Sequence, residues 1–220
     1  MNDRYSTVSR YLLNKMNRGR YMSKEELFLD IRIVKTKKTL KQALLGLLTE
    51  KKFKDITITD IVNRANINRG SFYNHFHSKD ELLNYIVEDT VSDLIYAYRK
   101  PYLDKSPFNV AALTPASVQI FNSVKENAQF YTVIIKSDIL YSVQDKLYEA
   151  IKELNEKDLF MYSSKINREL VSSYLAHAVV GLIFKWVDSG FKYDSEYMAE
   201  QLLEMMKIAP TQIFKTRIDP

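Results

Sequence analysis

Between Thr57 and Leu83 the chain reads TITDIVNRANINRGSFYNHFHSKDELL. Arg69 and Tyr73 stand four residues apart, with Gly70 and Asn74 beside them. On a helix these four share one side, which offers a guanidinium, a phenol, a primary amide and a bare glycine backbone. Phe72 and Phe76 are also four apart and share another side, apolar enough to anchor in a core. This chemistry suits recognition by hydrogen bonds better than bond making. No glycine-rich phosphate loop or dinucleotide fingerprint occurs. Of the three histidines, His75 and His77 have the wrong spacing for one helical face, and His177 is alone on an apolar run. No serine has a histidine and an acid in context. Neither an enzyme nor a cofactor or metal is expected.

The elements that must position these groups can be read on either side. Thr57 and Asp60 fit a capping box, and Ile58, Ile61 and Val62 follow as one apolar face. The run breaks at Ala65-Asn66-Ile67-Asn68, where Asn66 suits the left-handed end of a helix and Asn68 caps the next. That next helix is predicted over 69–76. Ser78-Lys79-Asp80-Glu81 gives a second capping box and opens a long amphipathic helix. A short helix, a turn and a second helix with a polar, Arg-bearing face is what helix-turn-helix docking in a major groove requires. The same spacing also describes a small helical hairpin with a solvated polar face. Spacing alone leaves both open.

The segment ITITDIVNRANINRGSFYNHFHSKDELL resembles the DNA-binding domain of TetR-family bacterial transcriptional regulators. The resemblance rests on Thr57 and Thr59, Asp60-Ile61-Val62, the turn Ala65 to Asn68, Ser71-Phe72-Tyr73-Asn74-His75-Phe76 and Ser78-Lys79-Asp80-Glu81-Leu82. Two departures lie in the turn: Asn66 replaces the usual Gly, and Asn68 replaces a Ser or Thr. The resemblance implies a ligand-responsive repressor that binds a near-palindromic operator as a homodimer, its two recognition helices about 34–36 Å apart. It implies base-edge contacts from Asn68, Arg69, Ser71 and Asn74, with Gly70 allowing close approach. Arginine suits guanine and asparagine suits adenine, each pair worth about 1–3 kcal/mol. Lys38, Thr57, Thr59, Tyr73, His75 and Lys79 are expected on phosphates, which position without specifying. The alternative is a TetR-fold protein that acts mainly through a protein partner.

Composition agrees with a helical reading. The 220 residues are 46% hydrophobic and 27% charged, with five Gly, five Pro and no Cys. No strand-like alternation appears, so the fold class expected is all-α, of about nine helices. The absence of Cys excludes a disulfide framework or thiolate site and fits a cytoplasmic location. No apolar stretch is expected to reach the length of a membrane span, and no secretory signal is read at the N-terminus. Residues 1–80 hold 17 Lys/Arg against 8 Asp/Glu, and residues 81–220 hold 15 against 19. A basic head (+9) on a mildly acidic body (−4) suits a phosphate-binding head. Solvated Lys-rich helices give the same pattern.

The domain reading is an extension over 1–31, a three-helix DNA-binding domain over 32–80 and a helical effector-binding and dimerisation domain over 81–220. A helix from about Lys24, running into or kinked before one over 33–52, carries Leu40, Leu44, Leu47 and Leu48 as its buried stripe. The helix predicted over 80–100 buries Leu82, Leu83, Ile86, Val87, Val91, Leu94 and Ile95. A loop follows over 102–113. Thr114-Pro115 then starts a helix to about Asn127, a shorter one holds Phe130 to Ile135, and one from Asp138 breaks at 155–158. The last two helices are placed at 165–189 and 194–207. The run SSYLAHAVVGLIFKWVDSGFKYDSEYMAEQLLEMM resembles the C-terminal part of many TetR-family regulators. That implies a symmetric interface through Ala178, Gly181, Leu182, Trp186, Met198, Leu202 and Met205. The same stripe also suits the monomer's own core. Phe121, Phe130, Tyr131, Tyr141, Tyr148, Tyr174 and His177 are the candidate lining for a small apolar or aromatic effector. A well-filled core uses the same residue types.

Overall fold

The computed structural model describes residues 24–101, 113–158 and 167–207. All regular structure among them is helical: α1 (Lys24–Leu48), α2 (Ile58–Ala65), α3 (Arg69–Tyr73), α4 (Lys79–Arg99), α5 (Ile120–Glu126), α6 (Ala128–Ile134), α7 (Leu140–Asp158), α8 (Arg168–Asp188) and α9 (Ser195–Lys207). Two short 3-10 turns, Phe53–Asp55 and Pro115–Ser117, connect them. The loop and the N-terminal residues read over 102–112 and 1–23 lie outside the described residues. The chain forms two compact units that divide between Ile86 and Val87.

In the first unit, α1 is one uninterrupted helix rather than two. Its Leu40, Leu44, Leu47 and Leu48 are buried as the spacing requires, joined by Ala43 and Leu45. Ile56, Ile61, Val62, Phe72, Phe76, Leu82 and Ile86 of the same unit are buried as well, and α1 packs against α2. The Arg64 side chain lies over Gly46, where a Cβ would meet its mobile tip, Nη1, at 2.9 Å, and Arg64 pairs with Glu50.

In the second unit, α7 packs along α8, and α9 against α5 and the 115–117 turn. Three sequence expectations change here. The helix foreseen from Thr114 is a 3-10 turn closed by Val118 N–H on Pro115 O (3.1 Å), and α5 begins only at Ile120. α7 does not break at Asn155 but runs through it to Asp158, because Asn155 is buried and its side chain accepts a hydrogen bond from Tyr98 Oη (2.9 Å). On α4, Leu94 and Ala97 are buried with Thr90, whereas Val91 and Ile95 are half-exposed. A fourth change concerns membranes: α8 has a mean hydropathy of 1.5 over an 18-residue window, so one helix is long and apolar enough to cross a bilayer. Its Ala176, Val179, Val180, Ile183, Phe184 and Val187 are instead buried within the protein.

Candidate nucleic-acid interface

The helix-turn-helix is built by local caps. Asp60 N–H donates to Thr57 Oγ1 (3.1 Å), and Thr57 N–H and Oγ1–H both donate to Asp60 Oδ2 (2.7 and 2.8 Å). Lys51 Nζ adds an ion pair at 2.7 Å. Led by that Lys51 contact and supported by Thr57, these interactions hold the Asp60 carboxyl at a pKa of about 2. Asn66 ends α2 at φ 52°, ψ 47°, and Ile67 N–H returns to Val62 O (3.1 Å). Asn68 Oδ1 then caps α3 on Ser71 N–H at 2.6 Å. The second box is shifted by one: Ser78 Oγ accepts from Glu81 N–H (3.1 Å), but Glu81 reaches back to His77 N–H (2.6 Å).

α3 is shorter than its spacing suggested and stops at Tyr73. Phe76 lies in the turn beyond, yet its ring remains 6.1 Å from that of Phe72, so both anchor in the core. The outer face holds what the spacing placed there. Arg69 is exposed, its Nη2 donating to Tyr73 Oη (3.2 Å) and its guanidinium lying 5.7 Å from that ring. Tyr73 is 42% exposed, its ring edge-on to Phe72. Asn74 is exposed and Ser71 half-exposed. Gly70 is exposed too, and a Cβ there would meet only Asn68 Oδ1, at 3.4 Å. The fold itself therefore does not demand a glycine.

The other expected contacts sort by what their atoms already do. Thr59 and Lys38 are exposed. Asn68 is exposed but spends its carbonyl on the cap, so the two-point contact that reads adenine is closed to it while the cap holds. Thr57 spends its hydroxyl proton on Asp60. Lys79 does not fit its expected phosphate role. Its ammonium donates to the carbonyls of Phe53, Lys54 and Ile56 (2.9, 2.9 and 2.8 Å) and sits 4.8 Å from the Phe53 ring, which uses all three N–H groups. His75 is partly buried, and burial together with the nearby Lys37 charge lowers its pKa, leaving a neutral imidazole for any phosphate. Lys37 itself was not foreseen as a packing residue. It lies 4.5 Å from the Tyr85 ring and 5.5 Å from the Phe76 ring.

The second unit scatters the seven residues foreseen as an effector lining. Phe121, Phe130 and Tyr131 are fully buried, in edge-on contact with Trp186, with one another and with Phe184. Tyr148 lies against the His177 ring (centroids 4.1 Å apart, planes tilted by 44°) and donates to Ser173 Oγ (3.1 Å). Tyr141 and Tyr174 are 81% and 70% exposed. Aromatic type alone cannot separate these surroundings, so the single lining is corrected. A surface groove of about 300 Å³ lies elsewhere, between Val91, Ser92, Ile95, Tyr96 and Arg99. Among the described residues, Tyr131 Oη and Asn155 Nδ2 are buried without a hydrogen-bond partner. Burial and the Asp93 charge raise the Tyr131 phenol well above its ordinary pKa.

The residues foreseen for self-association also divide. Ala178, Gly181 and Met205 are exposed, and nothing lies within 4 Å of a Cβ built on Gly181. Leu182 and Leu202 are half-buried. Trp186 and Met198 are corrected: both face the core of their own unit, and Trp186 Nε1–H donates to Tyr193 O (3.0 Å). Leu170, Tyr174 and Met206 are further exposed apolar side chains on the same two helices.

Comparison with known proteins gives the same two parts. The family model for bacterial regulatory proteins of the tetR family matches residues 42–86, and one for a transcriptional regulator C-terminal region matches residues 112–208. An uncharacterized HTH-type transcriptional regulator, YxbF of Bacillus subtilis (strain 168), is 23% identical over 188 residues, covering 82% of this chain and 47% of that protein. The chain thus spans about half the length of that relative. The HTH-type transcriptional repressor KstR2 of Rhodococcus jostii (strain RHA1) is 23% identical over 173 residues, covering 73% of this chain and 83% of that one. Among solved structures, a putative TetR-family transcriptional regulator from Syntrophomonas wolfei superposes with a TM-score of 0.61 at 17% identity, covering 79% of this chain and 93% of that one. At that identity the likeness is one of fold.

Proposed function

We propose, for a chain that belongs to the TetR family of transcriptional regulators, that it represses transcription by occupying a near-palindromic operator as a homodimer. The reading is carried by one observation. α3 turns Arg69, Ser71, Tyr73 and Asn74 outward while Phe72 is locked in the core, so a short helix is held rigidly with its polar groups unburied. Arg69 and Asn74 are the base readers, on guanine and adenine respectively. Lys38, Thr59 and Tyr73 hold phosphates. Thr57 and Lys79 act indirectly, by fixing α2 and the turn before it.

A dimer places two such helices in successive major grooves. One short helix reads too few base pairs for useful specificity. The exposed stripe of Tyr174, Ala178 and Gly181 on α8, with Met205 on α9, is the self-association face. Gly181→Arg tests it, because the site is open and the monomer has room for the side chain. Sedimentation should then show half the wild-type mass with helicity unchanged.

Repression is relieved by a small molecule in the second unit that favours one of two pre-existing states. Tyr131 Oη and Asn155 Nδ2 are the polar atoms such a ligand would satisfy, since burial without a partner costs about 1–3 kcal/mol each. A cytoplasmic location follows from this role.

The test is fluorescence anisotropy of the purified protein on labelled DNA from upstream of its own gene, with excess competitor DNA. Saturable, competitor-resistant binding that loses its sequence preference in Arg69→Ala supports the reading. Preference that survives Arg69→Ala removes Arg69 as the reader. Salt-erased binding to every duplex removes sequence-specific regulation and leaves action through a protein partner.

A further inference from the structure

We propose that the Tyr73 hydroxyl is a positioning group for Arg69: it holds the guanidinium on the outer face of α3 before DNA arrives and so sets how strongly guanine is preferred. The proposal rests on the DNA-binding reading above, and it gives Tyr73 a part in specificity besides the phosphate contact named there.

A long side chain at the surface samples many rotamers, and ordering it on binding weakens a complex about three- to tenfold. An arginine held beforehand avoids part of that loss, and what holds it decides whether it can still read. Arg64, on α2, is paired with the carboxylate of Glu50. Its donors must leave a charged partner before they can meet a base. Arg69 has no carboxylate partner among the described residues, and residues 61–79 hold no Asp/Glu. Its partner is a neutral phenol: Nη2 donates to Tyr73 Oη at 3.2 Å, and the guanidinium carbon lies 5.7 Å from the ring centre. That bond uses a single N–H, and the guanidinium keeps enough donors for a two-point contact with guanine. The phenol proton is not used on Arg69, which has no acceptor, so it remains for a phosphate oxygen.

The phenol is itself held. Its ring is edge-on to that of Phe72, with centres 5.6 Å apart, and Phe72 is fully buried. The Asn68 cap fixes the turn that carries Arg69. A chain of fixed groups thus runs from the core through Phe72 and Tyr73 to the guanidinium. Helix stability does not account for Arg69. It stands first in α3, where the helix dipole disfavours a cation, and no acidic residue in that turn offsets it.

The experiment is competition anisotropy of the full-length protein as wild type, Tyr73→Phe, Arg69→Ala and the double variant, on labelled upstream DNA and on a random-sequence duplex. Preference is the ratio of the two affinities. Tyr73→Phe keeps the ring against Phe72 and removes only the hydroxyl. It should weaken both duplexes through the lost phosphate bond and, through Arg69, lower preference about threefold besides. In the Arg69→Ala background, where Asn74 is left to read, the same change should weaken both duplexes by one factor. In the free protein, nitrogen NMR relaxation at Arg69 Nε should show an ordered side chain that becomes mobile in Tyr73→Phe.

Preference unchanged in Tyr73→Phe would overturn the proposal and leave Tyr73 a phosphate contact alone. An equal loss of preference with Arg69 absent would overturn it too, by making Tyr73 a reader in its own right. So would an Arg69 side chain equally mobile with and without the hydroxyl. Each of these failures leaves the functional reading standing. A wild type with no preference for upstream DNA overturns that reading, and this proposal with it.

Discussion

α3 and α8 solve opposite problems with the same backbone. α3 has five residues, too few to be stable alone, and is held by a cap at Asn68 and one buried ring at Phe72. Nearly everything else on it faces outward and is polar. α8 has 21 residues and buries Ser172, Ala176, Val179, Val180, Ile183, Phe184, Trp186 and Val187, yet turns Leu170, Tyr174, Ala178 and Gly181 to the surface. In α3 polarity alone separates the working face from the anchoring face. In α8 apolar side chains lie on both faces, and neither type nor size separates them: Leu170 and Tyr174 are outside while Ser172 and Ala176 are inside. A function that uses hydrogen bonds can therefore be found by residue type, whereas one that uses apolar contact requires knowing which side is already occupied.

The largest expected effect tests whether one ring does for α3 what eight side chains do for α8. Phe72 is 0% exposed and is the only buried residue of its helix. Phe72→Ala should lower unfolding stability by about 3–5 kcal/mol, read by urea denaturation, with DNA binding lost in parallel. Val179→Ala, on α8, removes fewer atoms from a side shared by many and should cost about 1–2 kcal/mol by the same measurement. Equal losses would mean that α3 is held mainly by its caps.

Next in size is Lys79. Lys79→Met keeps the aliphatic stem over Phe53 but deprives three carbonyls of their donor. It should cost about 1–3 kcal/mol in the first unit, again by denaturation. Its effect on DNA affinity should leave the salt slope untouched, because no phosphate contact is lost. A slope that falls by about 1 would restore Lys79 to the phosphate set.

A smaller effect follows from Asp60. Its folded pKa of about 2 lies below the ordinary 3.8, so the stability it contributes is present in full above 3.8 and is lost as pH falls through about 2. Between those values the unfolding midpoint of the wild type should decline more steeply than that of Asp60→Asn. Parallel curves would show that the Lys51 and Thr57 contacts add nothing to stability.

The contrast between the helices also explains what could be read in advance. The caps at Thr57 and Asn68 and the stop at Asn66 depend on residues three or four apart, so they stand in the sequence as they stand in the fold. Arg69 and Tyr73 meet for the same reason. Lys79 reaches back 23 to 26 residues to its carbonyls, and no local spacing announces this. Tyr98 finds Asn155 across 57 residues, and that distant bond carries α7 through a segment whose composition looks like a break. For Trp186 and Met198 the sequence leaves interface and core both open, because an apolar stripe is the same whether its own chain or a second copy covers it.

The smallest effects concern the two left-handed non-glycine residues among those described, one in each unit, and they test how local the local signals are. Asn66 (φ 52°) ends α2, and Phe191 (φ 59°) follows Gly190 (φ 70°) after α8. Asparagine tolerates this conformation better than most residues. Asn66→Gly removes the remaining strain but loosens the unfolded chain, so stability should change by about 0.5 kcal/mol or less. Phenylalanine has no such tolerance. It is kept left-handed by its N–H on Trp186 O (3.1 Å), by the edge-on Trp186 ring (4.9 Å) and by Lys125 Nζ 4.2 Å from its own ring. Phe191→Gly relieves about 1–2 kcal/mol of strain but gives up the ring contacts, worth about as much. The two glycine variants should therefore look alike in denaturation for different reasons. Lys125→Ala separates them: it weakens the wild type slightly and leaves Phe191→Gly unchanged. Asn66→Gly is unaffected by that background because its conformation depends on nothing outside its own turn.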